Sequence, residues 1–251
     1  TFHKGAKDVI ETGMVIEIYP NQLEQFPGAL QGINLPIVFD EQVVGVVGVF
    51  GIPEEVRDTG RLVKAITELI LERELMQEET RSRYKLREQF LETALTGDTV
   101  QSLPKLKRLA KSMNLNLSLA RAVSVIPITS FIRQAVSGYG SSELVLERSI
   151  ETVLRHVAQS GLIGEQDLAV VWDEQLVLLK TFIGTWQQEA LLQWGRSMID
   201  SMQKLDSEIA FCGIGSLASV IGGYAASYRQ AEYCLATCHA DRPLRTIYKH
   251  N

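Results

Sequence analysis

A chain of 251 residues is long enough for two ordinary domains. Its 45% apolar and 22% charged residues are typical of a folded soluble protein. No run is long and apolar enough to cross a bilayer, and residues 1–7 lack the apolar core of a secretory signal, so a cytoplasmic protein without a membrane partner is expected. The net charge of −5 argues against a surface built to grip nucleic acid.

Taken in chain order, residues 4–12 have helical composition and stop at Gly13, a residue suited to ending a helix. Residues 14–18 read as a short apolar strand and 21–30 as a helix. Residues 31–36 read as a polar loop leading into strands 35–39 and 42–50, joined by a tight turn at Asp40-Glu41. The second of these strands is β-branched and continuous, which predicts a central, largely buried position. Pro36, which has no N–H to donate, predicts an edge or strand-start position.

One long helix is predicted from near residue 57 to 95, closed by Thr96-Gly97. Apolar residues recur at Leu62, Ile66, Leu69 and Met76, fade between Gln77 and Arg83, and return at Leu86, Phe90 and Leu91. A helix of that length either connects domains as a solvated rod or pairs with a copy of itself, and a parallel homodimer is the favoured reading. Beyond it, residues 103–113, 143–159, 185–205 and 224–238 read as helices. Strands are predicted at 120–128, 168–172, 175–182, 209–215 and 245–248, with a hairpin turn at Asp173-Glu174. That order suits an α+β layout, a mixed sheet with helices packed over it.

Few residues suggest catalysis or metal binding. Cys212, Cys234 and Cys238 are too few and too clustered for a disulfide framework and suit a reducing compartment. Cys234-x3-Cys238-His239 lacks a second ligand pair, so buried small hydrophobes are preferred to a metal site. His3, His156, His239 and His250 are widely spaced, with His156 expected to be a structural residue. There is no Gly-x-Ser-x-Gly elbow and no phosphate loop, and Gly213-Ile214-Gly215 is placed in a strand. No cofactor is implied.

Three stretches carry a resemblance: Phe2-His3-Lys4-Gly5-Ala6, Gln31-Gly32-Ile33-Asn34-Leu35-Pro36 and Gly45-Val46-Val47-Gly48-Val49-Phe50-Gly51. They resemble the sugar-diacid-recognition domain of bacterial carbohydrate diacid regulators. The resemblance implies a PAS-like antiparallel-sheet sensor over 1–56, incomplete at its N-terminus, whose ligand is a small dicarboxylate or hydroxy acid of the galactarate, glucarate and glycerate class. The residues it places at the ligand are His3, Lys4, Gly5, Ala6, Gln31, Gly32, Ile33 and Asn34.

The chemistry of these residues is consistent with that ligand. A helix starting near Lys4 would present backbone donors to an anion, small Gly5 and Ala6 would admit a carboxylate, and the amides of Gln31 and Asn34 both donate and accept. The competing readings are a plain helix start with a solvent-facing lysine and an exposed hairpin approach. Regulators of this kind end in a helix-turn-helix domain, so contact with DNA is expected only through such a domain, which these 251 residues do not contain.

Residues 97–251 resemble the nucleotide-cyclase fold of diguanylate cyclases in a degenerate form. Val171-Trp172-Asp173-Glu174-Gln175 stands where that family has Gly-Gly-Asp-Glu-Phe, and the stretches 211–215 and 227–235 match its later strand and helix. Valine and tryptophan block the close nucleotide approach that two glycines allow, and strand 120–128 lacks the acidic residue that would hold Mg²⁺. The expected architecture is therefore a sensor over 1–56, a connecting helix over 57–96 and a degenerate GGDEF-like α/β sandwich over 97–251. The expected function is ligand sensing in a transcription regulator, not catalysis. The rivals are a cyclase-like enzyme using Asp173-Glu174 and a purely structural dimerisation module.

Overall fold

The computed structural model describes residues 4–97, 99–182, 188–239 and 243–246. They form two compact units, Thr1–Ser82 and Arg83–Asn251. The first contains helix α1 (Lys4–Thr12), strands β1 (Ile16–Ile18), β2 (Gly32–Phe39) and β3 (Gln42–Phe50), and the first half of helix α2 (Pro53–Thr96). The strands form an antiparallel sheet in the order β1-β2-β3. Gly13 ends α1 at φ +69°, its N–H donating to Val9 O at 2.8 Å. Asp40 and Glu41 both lie at positive φ, the turn geometry that joins two strands through two residues.

Three expectations for this unit change. Residues 32–36 are not a loop but the first half of β2, the central strand, with Gly32 to Pro36 all buried. The β-branched strand β3 is an edge strand, with Val44 and Phe50 exposed, because position in a sheet depends on the number of neighbours and not on a strand's own side chains. Residues 21–30 do not form a helix. A 3₁₀ segment at Pro20–Gln25 ends at Phe26, which precedes a proline and adopts φ −122°, ψ 70°.

Pro36 sits mid-strand, but beyond the reach of β1, which pairs only with residues 32–34. On this open edge α2 takes the place of a strand. Lys64 Nζ donates to Pro36 O at 2.7 Å, and Glu68 Oε1 accepts from Val38 N–H at 2.8 Å. Because the carbonyl of Pro36 points away from β3, its missing N–H removes no ladder bond.

The helix is further fixed by Arg57, which donates to Glu17 from Nε at 2.8 Å and from Nη2 at 3.1 Å. The Arg57 guanidinium holds the Glu17 carboxyl below the usual carboxylate range. Partial burial acts the other way, and the Tyr19 hydroxyl, 3.0 Å from Glu17, adds to the lowering. A depressed folded-state pKa stabilises above the unfolded value, and that contribution is lost as pH falls through the folded one. Glu17→Gln is therefore expected to lower the melting temperature at pH 7. The difference from the parent should shrink as pH falls below the ordinary glutamate range and through the depressed folded-state value, which melts in a pH series would reveal; a difference that persists in strong acid would contradict the ion pair.

The second unit adds α3 (Thr99–Ser112), β4 (Arg121–Pro127), α4 (Thr129–Tyr139), α5 (Glu143–Gln159), β5 (Leu168–Trp172), β6 (Gln175–Thr181), α6 (Gln188–Gln203), β7 (Cys212–Ile214), α7 (Tyr224–Ala236) and β8 (Leu244–Thr246). The sheet order is β5-β6-β4-β7-β8, antiparallel except for the parallel β7–β8 pair. Alternation along the strands feeds two cores. Ala122, Ile126, Leu176 and Leu178 face α4, α5 and α6, while Val123, Val125, Val177 and Leu179 face α3, α7 and the end of α2. The result is a mixed helix-and-sheet sandwich. Helix α4 falls in a stretch where no element is expected from the sequence; it packs through Ile132 and is held at its start by Ser130, whose hydroxyl donates to Asp206 at 2.6 Å.

Candidate functional site

Successive residues of β2 point to opposite faces, which divides the predicted ligand residues. Ile33 and Leu35 pack on Gly60 of α2, so close that a Cβ there would lie 2.4 Å from Ile33 Cδ1. Asn34 therefore faces the other side, where α1 crosses β2 and β3 and Val9 and Ile18 are fully buried. Ile33 is not on Asn34's side of the sheet.

Asn34 is 5% exposed, and among the described residues its side chain makes no hydrogen bond. Its cross-strand neighbour is Gly48, where an added Cβ would come within 3.2 Å of Asn34 Oδ1. The wholly buried side-chain polar atoms left without a partner among the described residues are Ser124 Oγ and Thr246 Oγ1, so the Asn34 amide keeps some contact with solvent. An unpartnered amide donor and acceptor, facing a strand position with no side chain, suits a hydroxyl or carboxylate ligand.

Of the other predicted residues, Gly5 and Ala6 are buried in the first turn of α1, Ala6 being already engaged within the chain. Lys4 is exposed, with Nζ 5.5 Å above the Phe26 ring. Gln31 is half-buried just ahead of β2, its carbonyl accepting from Gly51 N–H at 3.1 Å. Gly32 is required by close approach, because a Cβ there would lie 2.1 Å from Val49 O. His3 lies outside the described residues. The Lys64–Glu68 pair was not singled out in the sequence, and Gly48 only as part of the stretch 45–51; it recurs with Gly45 within β3, a pattern that signals close backbone approach.

In the second unit, Asp173 and Glu174 are exposed at φ +47° and +57°, a two-residue hairpin turn like that at Asp40-Glu41. Trp172 stacks on Tyr228, ring centroids 5.8 Å apart, and Tyr84 OH bonds both to Val171 O at 3.0 Å and to Val171 N–H at 3.3 Å. The segment that would have to approach a nucleotide is thus tied up by aromatic side chains. His156 Nε2 lies 2.7 Å from Ser201 O. Cys212 and Cys234 are buried and Cys238 half-buried, none of them in a disulfide, and burial pushes the Cys212 thiol up. Among the described residues no group of three or more His, Cys, Asp or Glu is placed to hold a metal ion, and no helix is long and apolar enough to cross a membrane.

Comparison with known proteins agrees with this division. Residues 1–94 match the family described as "Putative sugar diacid recognition", and residues 96–237 match the GGDEF-like domain family. The chain belongs to the family of proteins with a GGDEF-like domain, whose model matches more than half of it, and that domain is preceded here by a match to the sugar-diacid-recognition model. It is 26% identical to the carbohydrate diacid regulator of Escherichia coli over 92% of its length and 57% of that protein. It is 27% identical to an uncharacterized protein of Haemophilus influenzae over 76% of its length and 46% of that protein. It is 25% identical to an uncharacterized Bacillus subtilis protein over 94% of its length and 59% of that one. The chain thus spans about half the length of the curated relatives it matches. Solved structures that are similar include the GGDEF domain of TpbB from Pseudomonas aeruginosa, at 19% identity and TM-score 0.36 over 58% of this chain and 85% of that one. The diguanylate cyclase SiaD of the same organism, solved with its activator SiaC, is 15% identical at TM-score 0.37, covering 77% of this chain and 79% of that one.

Proposed function

We propose that this chain is the effector-sensing part of a bacterial transcription regulator that binds a sugar diacid or a glycerate-like hydroxy acid and controls genes for its catabolism. The observation that carries this reading is Asn34, a largely buried residue on the α1 side of the sheet whose amide keeps solvent contact and has no partner among the described residues, in a domain of the sugar-diacid-recognition type. A polyhydroxy acid supplies both acceptors and donors for such an amide. Gly48, Gly5 and Ala6 keep side-chain bulk low on that face, and Lys4 supplies positive charge near the start of α1. Ligand seated against β2 acts on the strand whose open edge α2 holds through Lys64 and Glu68. Helix α2 then runs on without a break to Tyr84 and its bond to β5, giving a continuous element through which the change passes.

The GGDEF-like unit is read as non-catalytic, because Val171 and Trp172 fill the positions at which a cyclase needs glycine. A thermal-shift series with galactarate, glucarate, glycerate, tartrate and GTP tests both parts. One of the acids is expected to raise the melting temperature in proportion to its concentration, and GTP with Mg²⁺ is expected neither to do so nor to be converted. Asn34→Ala, with its circular dichroism unchanged, is expected to bind that acid about 5- to 150-fold more weakly, the factor that ~1–3 kcal/mol represents. Unaltered affinity in Asn34→Ala would remove the site from this face of the sheet.

A further inference from the structure

The net charge of −5 averages over an uneven distribution. Between residues 99 and 142 the chain has no Asp or Glu and six basic residues, Lys105, Lys107, Arg108, Lys111, Arg121 and Arg133. Four of the six lie within α3, and at 3.6 residues per turn they share one side of it. Leu106, Leu109 and Ala110 turn inward to the core that holds Phe90, Leu91 and Val123. Lys105, Lys107, Arg108 and Lys111 fall on the opposite side, and all four are exposed. A solvated helix face ordinarily mixes both signs and gains from pairs three or four residues apart. Here α3 carries no acidic residue to make one, and among the described residues none of the four is ion-paired. Residues 221–223, which pack on α3, are Ile-Gly-Gly and add no charge.

We propose that this outer face of α3 is a contact surface for the phosphate backbone of duplex DNA. Its composition favours that partner over an acidic protein. The four cations lie among Gln101, Pro104 and Ser112, and no large apolar side chain of α3 is exposed beside them. Protein interfaces, by contrast, have an apolar core and are depleted in lysine. Phosphate contacts need only cations and short polar donors. The dimensions agree as well: from Lys105 to Lys111 the helix rises about 9 Å, a length of duplex that carries about five phosphates. The acidic remainder of the chain does not oppose this, because at ~0.1 M salt charges more than about 10 Å away are largely screened. Naming DNA as the polyanion rests on the reading of this chain as part of a transcription regulator. The surface supplies affinity and not sequence choice, which such a regulator must take from base contacts made elsewhere.

Fluorescence anisotropy of the full chain with a labelled duplex of about 20 base pairs and arbitrary sequence measures the contact. Binding is expected at about 50 mM salt and to weaken about 150-fold by about 200 mM, the log–log slope of about −3.6 that four neutralised phosphates give. Lys105→Gln, Lys107→Gln, Arg108→Gln and Lys111→Gln together are expected to abolish it, with circular dichroism unchanged because all four side chains are exposed. The control removes the same charge elsewhere: Arg133→Gln, Arg148→Gln, Arg196→Gln and Lys204→Gln, also at exposed positions, are expected to leave binding within about threefold of the parent. Binding that survives the α3 substitutions, that falls equally in the control, or that is absent at about 50 mM salt and about 100 μM chain would overturn the surface. Equal or tighter binding of polyglutamate at the same salt would overturn DNA as its partner. The melts with acids report on the regulator reading separately. A chain that answers to an acid but not to the duplex refutes this surface alone, whereas duplex binding without any acid response refutes the sensor and leaves the surface standing.

Discussion

Replacing Arg121 with leucine is expected to lower the unfolding free energy of the C-terminal unit by about 3–4 kcal/mol. Arg121 opens β4, the central strand of that unit, and is wholly buried. Its guanidinium makes all its described bonds to uncharged acceptors. Nε donates to Thr181 Oγ1 at 3.1 Å and Gln166 O at 3.3 Å, Nη1 to Tyr224 OH at 3.1 Å and Leu119 O at 3.3 Å, and Nη2 to Gln166 O at 3.2 Å. One side chain thus ties the start of β4 to the loop before β5, the end of β6 and the start of α7. Leucine would fill part of the volume but leave Leu119 O and Tyr224 OH without their donor, and each orphaned buried acceptor costs about 1–3 kcal/mol. Arg121→Lys is expected to lose nearly as much, since one ammonium cannot reach the same four acceptors. Urea unfolding followed by the fluorescence of Trp172 and Trp194 measures the change. A loss under about 1 kcal/mol in Arg121→Leu would mean that water or neighbouring side chains replace the guanidinium, and that it does not pin these elements.

Nothing in the sequence near Arg121 announces this role. An arginine before Ala122-Val123 reads as the solvent-facing start of a strand, and three of its four acceptors lie 45, 60 and 103 residues away along the chain. The features legible beforehand are those set by local chemistry. The two acidic hairpin turns, the Gly13 stop and helix 143–159, capped by the Ser142 hydroxyl accepting from Val145 N–H, are all found as the residues suggest. What was misread depends on neighbours. The run 31–36 looks like a loop because Gln31, Gly32, Asn34 and Pro36 are residues common in turns, yet β1 and β3 on either side make it the middle of a sheet. The strand 42–50 looks central because it is β-branched, yet no strand follows it in its sheet.

The candidate site shows the same limit. The types needed for an acid-binding face, an amide among glycines and alanine, can be picked out of the sequence. That Ile33 and Asn34 face opposite sides requires knowing that both lie in β2, and that Gly48 lies beside Asn34 requires the register of β2 on β3. Likewise the apolar repeat in α2 is visible in sequence, but that it lies opposite the docked face, and not against the sheet, depends on Lys64 and Glu68 reaching Pro36 and Val38.

Gly215→Ala is expected to be at least as damaging as the loss of Arg121. A Cβ at Gly215 would lie 1.9 Å from Ser227 O and 2.6 Å from Ser227 C, and one at Gly213 would lie 2.1 Å from Ala231 O. These are backbone atoms of α7, so no side-chain rotation relieves the overlap and the helix itself must move. Its displacement would break the bond from Val123 N–H to Ser227 Oγ, 2.9 Å long and buried. Overpacking a well-filled core usually costs about 1–3 kcal/mol, and a clash between two backbones belongs at or above the upper end. For a unit of this size that corresponds to a melting temperature lowered by roughly 6–12 °C. Gly222→Ala is the matched control: nothing lies within 4 Å of its added Cβ, so its melting temperature is expected to stay within about 2 °C of the parent. The contrast also bears on function. If Gly213-Ile214-Gly215 served to admit a nucleotide phosphate, its glycines would face open space and Gly215→Ala would impair binding while sparing stability. Because the space is filled by α7, both substitutions at Gly213 and Gly215 are expected to act on folding alone, and a Gly215→Ala protein that melts like the parent would reopen the nucleotide reading.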